Sequence, residues 1–245
     1  MNHSNNKIPD HIYIVGAGGI TTYFLPAFIK TMAATTKDLP AIHIIDGDAV
    51  EERNLERQLF DPSAIAKNKA IALVERYRDE YPRLYVRERF FHPGEIVKNG
   101  SLLFVFVDNH AARRSALIAC DRCDCTAILA ANEYTAAQAM WYHPSFRGRR
   151  FDPRVCYPEI ETDQSNNPIR PRGCTTQEAL EVAPQLPIAN LACAAYALQL
   201  FWFYFMVAPS LEEDSKSFWP IEHTNNFNVI QTRKEQDYAG KSVEH

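Results

Sequence analysis

Residues 11–20 have the sequence HIYIVGAGGI, which is the first indication of the fold class of this chain. Its first part is a β-rich apolar run that ends in glycine, and residues 20–34 then have the composition of a helix. The turn between them contains Gly16, Gly18 and Gly19. Glycines let the backbone approach a ligand closely, and the unpaired N–H groups of a helix N-terminus favour a phosphate. The stretch therefore predicts a strand, a tight turn and a helix, with a nucleotide at the turn.

Short apolar runs and helical periodicity alternate after this turn. They predict strands at 41–46, 84–91, 102–108, 126–133 and 137–144 and helices at 63–81 and 111–123. Ser63 is the expected N-cap of the first of these helices. The alternation predicts an α/β, Rossmann-like open sheet that is mostly parallel and has helices on both faces. Ligands of such sheets bind beyond the carboxyl ends of the strands, where Gly16, Asp46 and Asp108 fall.

The second half of the chain departs from this alternation. Residues 145–184 are rich in proline and arginine and predict a long loop, of the length that is usually functional. Residues 186–208 carry no charge and are long enough for a membrane span. They lack a flanking Lys/Arg cluster and contain two amides, so we expect a helix buried on all sides instead. A last strand is expected around residues 227–232.

Length and composition place the chain among ordinary globular proteins. It has 245 residues, 26 Lys+Arg against 30 Asp+Glu for a net charge of −4, and 46% hydrophobic residues. A balance this acidic gives no general reason to bind nucleic acid. Six cysteines without a basic and apolar leader predict reduced thiols and a cytoplasmic location. We expect one domain over 1–245, divided into a nucleotide-binding core (11–144), a crossover loop (145–184) and a buried helix with a C-terminal tail (185–245).

The glycine turn does not fit a dinucleotide-binding fingerprint well. Thr21 stands where the third glycine of that fingerprint would permit close packing of helix and strand. Asp46 closes the second predicted strand, where a carboxylate can accept hydrogen bonds from a ribose. Asp46 therefore fits any adenosine nucleotide, and an NAD- or SAM-binding enzyme remains an alternative that Thr21 makes weaker.

The residues after Asp46 are more specific. The run DGDAVEERNLERQLF at 46–60 is followed by Lys69-Ala70 and later by Val107-Asp108-Asn109 with Arg113. At these residues the chain resembles the E1-like activating enzymes. This superfamily contains the ubiquitin-activating enzymes and the bacterial adenylyltransferases that serve thiamine and molybdopterin sulfur carriers. The resemblance covers about residues 16–208.

The resemblance implies the roles of the candidate residues. Positive charge from Arg57 and Lys69 would stabilise the phosphates during AMP transfer, which is consistent with the electrostatic demands of that reaction. Asp108 would hold Mg²⁺, an ion that prefers oxygen ligands and needs few from the protein. The nucleotide-binding residues would be Gly16, Gly18, Gly19, Asp46, Asp48, Asn54, Arg57, Gln58, Lys69, Asp108 and Asn109. The cofactors implied are ATP and Mg²⁺.

Cys174 occupies the place of the family's nucleophile in the crossover loop. Arg170 and Arg172 precede it, and nearby positive charge lowers the pKa of a thiol. The resemblance thus implies adenylation of the C-terminal carboxylate of a ubiquitin-like protein, then a thioester on Cys174 and transfer to an E2-like partner. Structural zinc is not expected, because Cys120 and Cys123 have no second pair of cysteines to complete the ligand set.

The chain departs from the family in its first residues. Relatives carry an N-terminal helical arm that presents an arginine to the ATP of a partner subunit, and we expect that arm to be missing here. Either Arg113, Arg114, an arginine of the crossover loop or another protein then supplies the charge, or the chain is less active than its motif implies. A homodimer or heterodimer is expected from the resemblance. The compact form resembles bacterial ubiquitin-like conjugation enzymes of phage-defence operons more than housekeeping enzymes.

Two further functions stay open at this point. A sulfur-carrier adenylyltransferase would use the same ATP site and pass its product to a sulfurtransferase. A non-catalytic E1-like scaffold would pair with an active subunit and bind its partner without using ATP.

Overall fold

The computed structural model describes residues 7–132, 136–166, 187–210 and 222–226. The strands are β1 (His11–Val15), β2 (Ala41–Ile45), β3 (Leu84–Arg87), β4 (Leu102–Val105), β5 (Thr126–Asn132), β6 (Ala136–Tyr142) and β7 (Glu222–Asn226). The helices are α1 (Gly19–Thr35), α2 (Lys69–Tyr77), α3 (His110–Cys123), α4 (Pro153–Cys156), α5 (Glu159–Thr162) and α6 (Pro187–Trp202). Cys174 and residues 227–232 lie outside the described residues.

The strands of the described residues form one sheet in the order β3-β2-β1-β4-β5-β6-β7. The five strands β3, β2, β1, β4 and β5 run parallel, and β6 and β7 are antiparallel to their neighbours. β1 lies between the two halves, so that Ile12 pairs with Ile42 on one side and with Leu102 on the other. The α/β, mostly parallel fold predicted from the sequence is confirmed. The strand order reverses between β1 and β4, and the crevice at their carboxyl ends is therefore the expected ligand site.

Each face of the sheet has its own core. Alternate residues of β1 divide between the faces: Ile12 and Ile14 belong to a cluster with residues of α1, α2 and α6, whereas Tyr13 and Val15 pack with residues of α3. Phe28 of α1 meets Phe201 of α6 edge to face at 4.9 Å between ring centroids. The sheet thus has helices on both faces, as parallel sheets require.

The late helix is buried on one side only, so the expectation of burial on all sides is wrong. Ala189, Cys193 and Phe201 are fully buried against the sheet and α1, but Ile188 and Leu191 are each 53% exposed. Among the described residues, Pro187–Val207 alone is long and apolar enough to span a membrane, with a mean hydropathy of 1.4. Half of the most apolar part of this segment is buried inside the protein, as in the core helix of a sheet protein.

The largest differences from the predicted boundaries are at the start of the second helix and at the last strand; in addition, β3 ends at Arg87, β4 at Val105 and α2 at Tyr77, each before its predicted end. The second helix begins at Lys69 with Asn68 as its N-cap, not at Ser63. The backbone N–H of Ser63 instead donates to the carboxylate of Asp61, which caps a short 3₁₀ turn before the helix. The last described strand, β7, lies at Glu222–Asn226, before the predicted position.

Candidate nucleotide-binding site

The glycine turn begins directly after β1, in the crevice beside β4. Gly16 has a φ of +93°, a conformation that side chains rarely adopt, and an added Cβ would lie 2.4 Å from the carbonyl oxygen of Phe106. Thr21, which replaces the third glycine of a dinucleotide fingerprint, is fully buried and donates its hydroxyl to the carbonyl of Gly16. Thr21, the residue that argued against an NAD site, therefore stabilises the glycine turn by this hydrogen bond.

Gly18 and Gly19 differ in the space that the surrounding protein leaves for a side chain. A Cβ on Gly19 would lie 2.5 Å from both amide atoms of Asn190, so α6 leaves no room for a side chain there. A Cβ on Gly18 would meet only Nε2 of Gln58, at 3.9 Å. The space over Gly18 is open, as it must be if a ligand approaches the backbone at this point.

Asp46 connects the glycine turn with the loop that follows β2. Its Oδ2 accepts from the backbone N–H of Ala17 at 2.6 Å and its Oδ1 accepts from that of Asp48 at 2.8 Å. Burial raises the pKa of Asp46, although both backbone donors and Lys69 oppose the rise. The carboxylate is thus fixed beside the turn, in a position suited to accepting a hydrogen bond from a ribose.

Lys69 is brought to the same edge by the start of α2. Its ammonium lies 3.2 Å from Oδ2 of Asp48, and its side chain is 12% exposed. Asn68 holds this arrangement together, because its Nδ2 donates to the carbonyls of Asp46 at 2.9 Å and Asp48 at 3.1 Å while its Oδ1 caps α2. Sequence reasoning missed Asn68. Its signal was an N-cap residue type directly before the apolar periodicity of the helix.

The loop before α2 supplies Asn54, Arg57 and Gln58. Asn54 is buried and its Oδ1 accepts from the backbone N–H of Glu51 at 3.0 Å, so this amide stabilises the loop. Within the described residues, Nε of Arg57 and Oε1 of Gln58 are buried polar atoms without a hydrogen-bond partner. A buried polar atom left unpaired costs about 1–3 kcal/mol, so the pair fits a site that a polar ligand completes.

Asp108 and Asn109 follow β4 on the other side of the crevice. Asn109 caps α3, because its Oδ1 accepts from the backbone N–H of Ala112 at 2.8 Å, and its Nδ2 donates to Asp108 at 3.3 Å. The Asp108 side chain is exposed at the edge. In the described part of the chain no three His, Cys, Asp or Glu side chains gather around a common point. A single carboxylate suits Mg²⁺ that is bound mainly through substrate phosphates and water.

The two arginines of α3 have different surroundings. Arg113 is 9% exposed and donates to the carbonyl of Val107 at 3.0 Å. Burial lowers the pKa of Arg113 to about 10, although the charge of Asp108 opposes this. Arg114 donates to three carbonyl oxygens of the α5 segment, each at 3.3 Å, which belong to Ile160, Glu161 and Asp163. Arg113 is therefore the one of the two that lies beside Asp108.

Burial raises the pKa of Cys120, Cys125, Cys156 and Cys193, which disfavours their thiolates. Burial raises the pKa of Cys193 to about 12 and that of Cys120 far above its usual value. Cys156, on α4 of the crossover loop, is exposed, and partial burial together with Glu222 and Asp152 raises its pKa. Cys174 lies outside the described residues, so its role as nucleophile stays a prediction.

Phe90 is a second residue that sequence reasoning missed. Its ring lies against Gly47, where an added Cβ would be 2.7–2.8 Å from three ring carbons, yet the side chain is 66% exposed. The ring is therefore an open aromatic face next to Asp46, the residue expected to bind the ribose. No sequence pattern marked it, because it follows β3, far along the chain from the glycine turn.

Several solved structures have the same fold as this chain. PaaA shares 14% identity with a TM-score of 0.60, over 95% of this chain and 65% of that one. MccB of E. coli, solved with ATP, shares 17% identity with a TM-score of 0.58, over 92% and 66%. The microcin C7 biosynthetic enzyme MccB in complex with N-formylated MccA shares 17%, with a TM-score of 0.55, over 92% and 67%. At these low identities, the similarity shows that this chain has the same fold as PaaA and MccB.

The present chain spans about two thirds of the length of these structures, 65% of PaaA and 66% of MccB. A search of curated proteins finds no significant match. The ThiF family profile, in contrast, matches residues 7–237, which is nearly the whole chain and contains the glycine turn, Asp46, Arg57, Lys69 and Asp108. The E1-like resemblance found in the sequence is confirmed by this match: the chain belongs to the ThiF family.

Proposed function

We propose that this protein uses ATP to adenylate the C-terminal carboxylate of a ubiquitin-like protein. One observation supports the proposal: the glycine turn, Asp46 and Asp108 follow the neighbouring parallel strands β1, β2 and β4, with Lys69 next to Asp48, and Arg57 and Gln58 carry buried polar atoms that lack partners among the described residues. A triphosphate would satisfy those atoms and would lie over the open space at Gly18. MccB, which has a similar fold, was solved with ATP and with N-formylated MccA, and this supports the proposal.

The proposed reaction transfers AMP. A carboxylate oxygen of the carrier protein attacks the α-phosphorus, the bond from that phosphorus to the bridging oxygen breaks, and pyrophosphate leaves with the electron pair. Arg57 and Lys69 stabilise the negative charge that develops on the phosphates. Asp108 would hold Mg²⁺, which when bound neutralises phosphate charge. Lys69 is paired with Asp48 at 3.2 Å, and we expect a phosphate to compete for this ammonium.

The proposed second step takes place on Cys174. Its thiolate attacks the acyl carbonyl of the adenylate, AMP leaves, and a thioester forms that an E2-like partner accepts. Charge supports this assignment, because Arg170 and Arg172 precede Cys174, whereas burial raises the pKa of Cys193 to about 12. We further propose a cytoplasmic enzyme of a bacterial ubiquitin-like conjugation system, such as an antiviral one, that acts as a homodimer or heterodimer.

Thermal unfolding tests the nucleotide site without knowledge of the carrier. A ligand at 100 times its Kd stabilises by about 2.7 kcal/mol, which for a domain of this size raises Tm by about 5–10 °C. We expect this shift with ATP and Mg²⁺ but not with NAD or SAM. Asp108→Ala should lose the part of the shift that depends on Mg²⁺, whereas Asp79→Ala, at an exposed aspartate beyond α2, should keep it.

The outcomes separate the proposal from its alternatives. A shift with NAD or SAM alone would assign the chain to another class of Rossmann enzyme. No shift with any nucleotide would favour a scaffold that does not use ATP. If ATP binds and a sulfur carrier is adenylated while no thioester forms, the sulfur-carrier function is the correct one.

A further inference from the structure

Asn190 is a fully buried residue in the first turn of α6, and its side-chain amide contacts the Arg57 loop and the glycine turn of the candidate nucleotide site. Its Nδ2 donates to the carbonyl oxygen of Arg57 at 3.2 Å. Its Oδ1 accepts from Nδ2 of Asn132, at the end of β5, at 2.8 Å. One side chain thus joins α6, the sheet and the loop of Arg57, although it lies 133 positions from Arg57 in the sequence.

The glycine turn closes the remaining side of this amide. Gly19 lies so near that a Cβ there would be 2.5 Å from both amide atoms. With a donor on one side, an acceptor on the other and the turn across its face, the amide has one orientation that satisfies both hydrogen bonds. Packing and hydrogen bonding therefore fix the Arg57 carbonyl relative to the turn.

We propose that Asn190 is a positioning residue of the ATP site, which sets the backbone of Arg57 and Gln58 and so aims their side chains at the phosphates. This inference rests on the proposed ATP site. Asn190 itself does not reach the ligand, because its polar atoms are used by Arg57 and Asn132. Its effect is transmitted through the peptide group of Arg57, whose side chain carries an unpartnered buried Nε among the described residues.

Asn190→Asp tests this role with almost no change of shape. The substitution replaces the N–H donor by an oxygen that faces the Arg57 carbonyl, so the two oxygens repel and the loop loses its anchor. We expect the Kd for ATP to rise about tenfold. The Kd for adenosine, which lacks phosphates and is bound on the Asp46 side, should change by less than about twofold. A purely structural defect would weaken both ligands alike.

Cys193→Ala is the matched control. Cys193 is equally buried, lies about one turn further along α6 and donates to the carbonyls of Ala131 at 3.1 Å and Gln138 at 3.7 Å, which belong to β5 and β6 and not to the Arg57 loop. We expect it to lower Tm while the ratio of the two Kd values stays that of the wild type. Both ligands are measured by competition with a fluorescent ATP analogue, beside thermal unfolding of each variant.

Each result decides the question. A selective loss of ATP affinity in Asn190→Asp, absent from Cys193→Ala, supports the proposal. Wild-type affinity in Asn190→Asp, or equal loss of ATP and adenosine, overturns it. If Asn190→Asp does not fold, Asn132→Ala removes the donor that orients the amide and should show the same selective loss at about threefold; no selective loss there overturns the proposal. Failure of the wild type to bind ATP would instead overturn the proposed function itself.

Discussion

A substitution at Gly18 should affect ATP binding much more than it affects the stability of the fold. A Cβ at this position would meet only Nε2 of Gln58, at 3.9 Å, and the φ of Gly18 is −86°. Gly18→Ala should therefore change the free energy of unfolding by no more than about 0.5 kcal/mol. The same methyl group would occupy the space through which a phosphate approaches the turn. We expect the Kd for ATP to rise at least tenfold, a loss of about 1.4 kcal/mol.

Gly19→Ala is the matched opposite case. Its Cβ would lie 2.5 Å from both amide atoms of Asn190, and overpacking of this kind lowers stability by about 1–3 kcal/mol. Urea unfolding measures the stability of both variants, and calorimetric titration with ATP and Mg²⁺ measures their affinity. If Gly18→Ala binds ATP as tightly as the wild type, no phosphate approaches the turn and the reasoning about this site is refuted.

Three further predictions concern other groups. Phe90→Ala should raise the Kd for ATP about tenfold, since aromatic stacking on a base is worth about 1–3 kcal/mol, and it should not lower stability, since the ring is 66% exposed. Phe90→Tyr should retain the affinity. If both variants bind ATP as tightly as the wild type in the same titration, stacking is excluded. Glu95 is buried, which by itself raises its pKa, but ion pairs with Arg89 and Arg87 outweigh this and lower the pKa. The stabilisation by ionised Glu95 is thus complete above the unfolded pKa of about 4.3 and is lost as the pH falls through the lower folded pKa. Between about pH 5 and about pH 3, the free energy of unfolding measured in urea should depend less on pH in Glu95→Gln than in the wild type. An equal dependence in both proteins would contradict this role of Glu95. Cys174→Ala should still form the acyl adenylate but no thioester on a non-reducing gel, whereas Cys156→Ala should behave as wild type.

The sequence predicted the parts of the fold that depend on local patterns. The apolar run of β1, the glycine turn and the acidic residues that follow β2 and β4 are all recorded in short stretches of residues, so periodicity and turn chemistry located them, although β4 ends at Val105 and not at Asp108. The boundary at Asn68 was missed because Ser63 offered an N-cap of equal quality. The choice depends on bonds from Asn68 to the carbonyls of Asp46 and Asp48, which no local pattern contains.

Contacts between distant residues could not be predicted in this way. Asn190 lay in a segment whose lack of charge predicted burial on all sides, but the structure exposes Ile188 and Leu191 and turns the asparagine inward to Arg57. Phe90 meets Gly47 only because β3 lies beside β2 in the sheet. Tertiary packing decides which side of a uniformly apolar helix faces the core, and composition alone does not.

The central claim is that a triphosphate occupies the crevice between β1 and β4. A crystal structure of the protein with Mg²⁺ and AMPCPP, an ATP analogue whose α,β bond cannot be cleaved, tests it most directly. We expect phosphate oxygens within hydrogen-bond distance of Arg57 Nε and over Gly18, the ribose at Asp46 and the metal at Asp108. A nucleotide bound elsewhere, or a crevice that stays empty at saturating AMPCPP while Arg57 Nε finds a partner within the chain, would contradict it.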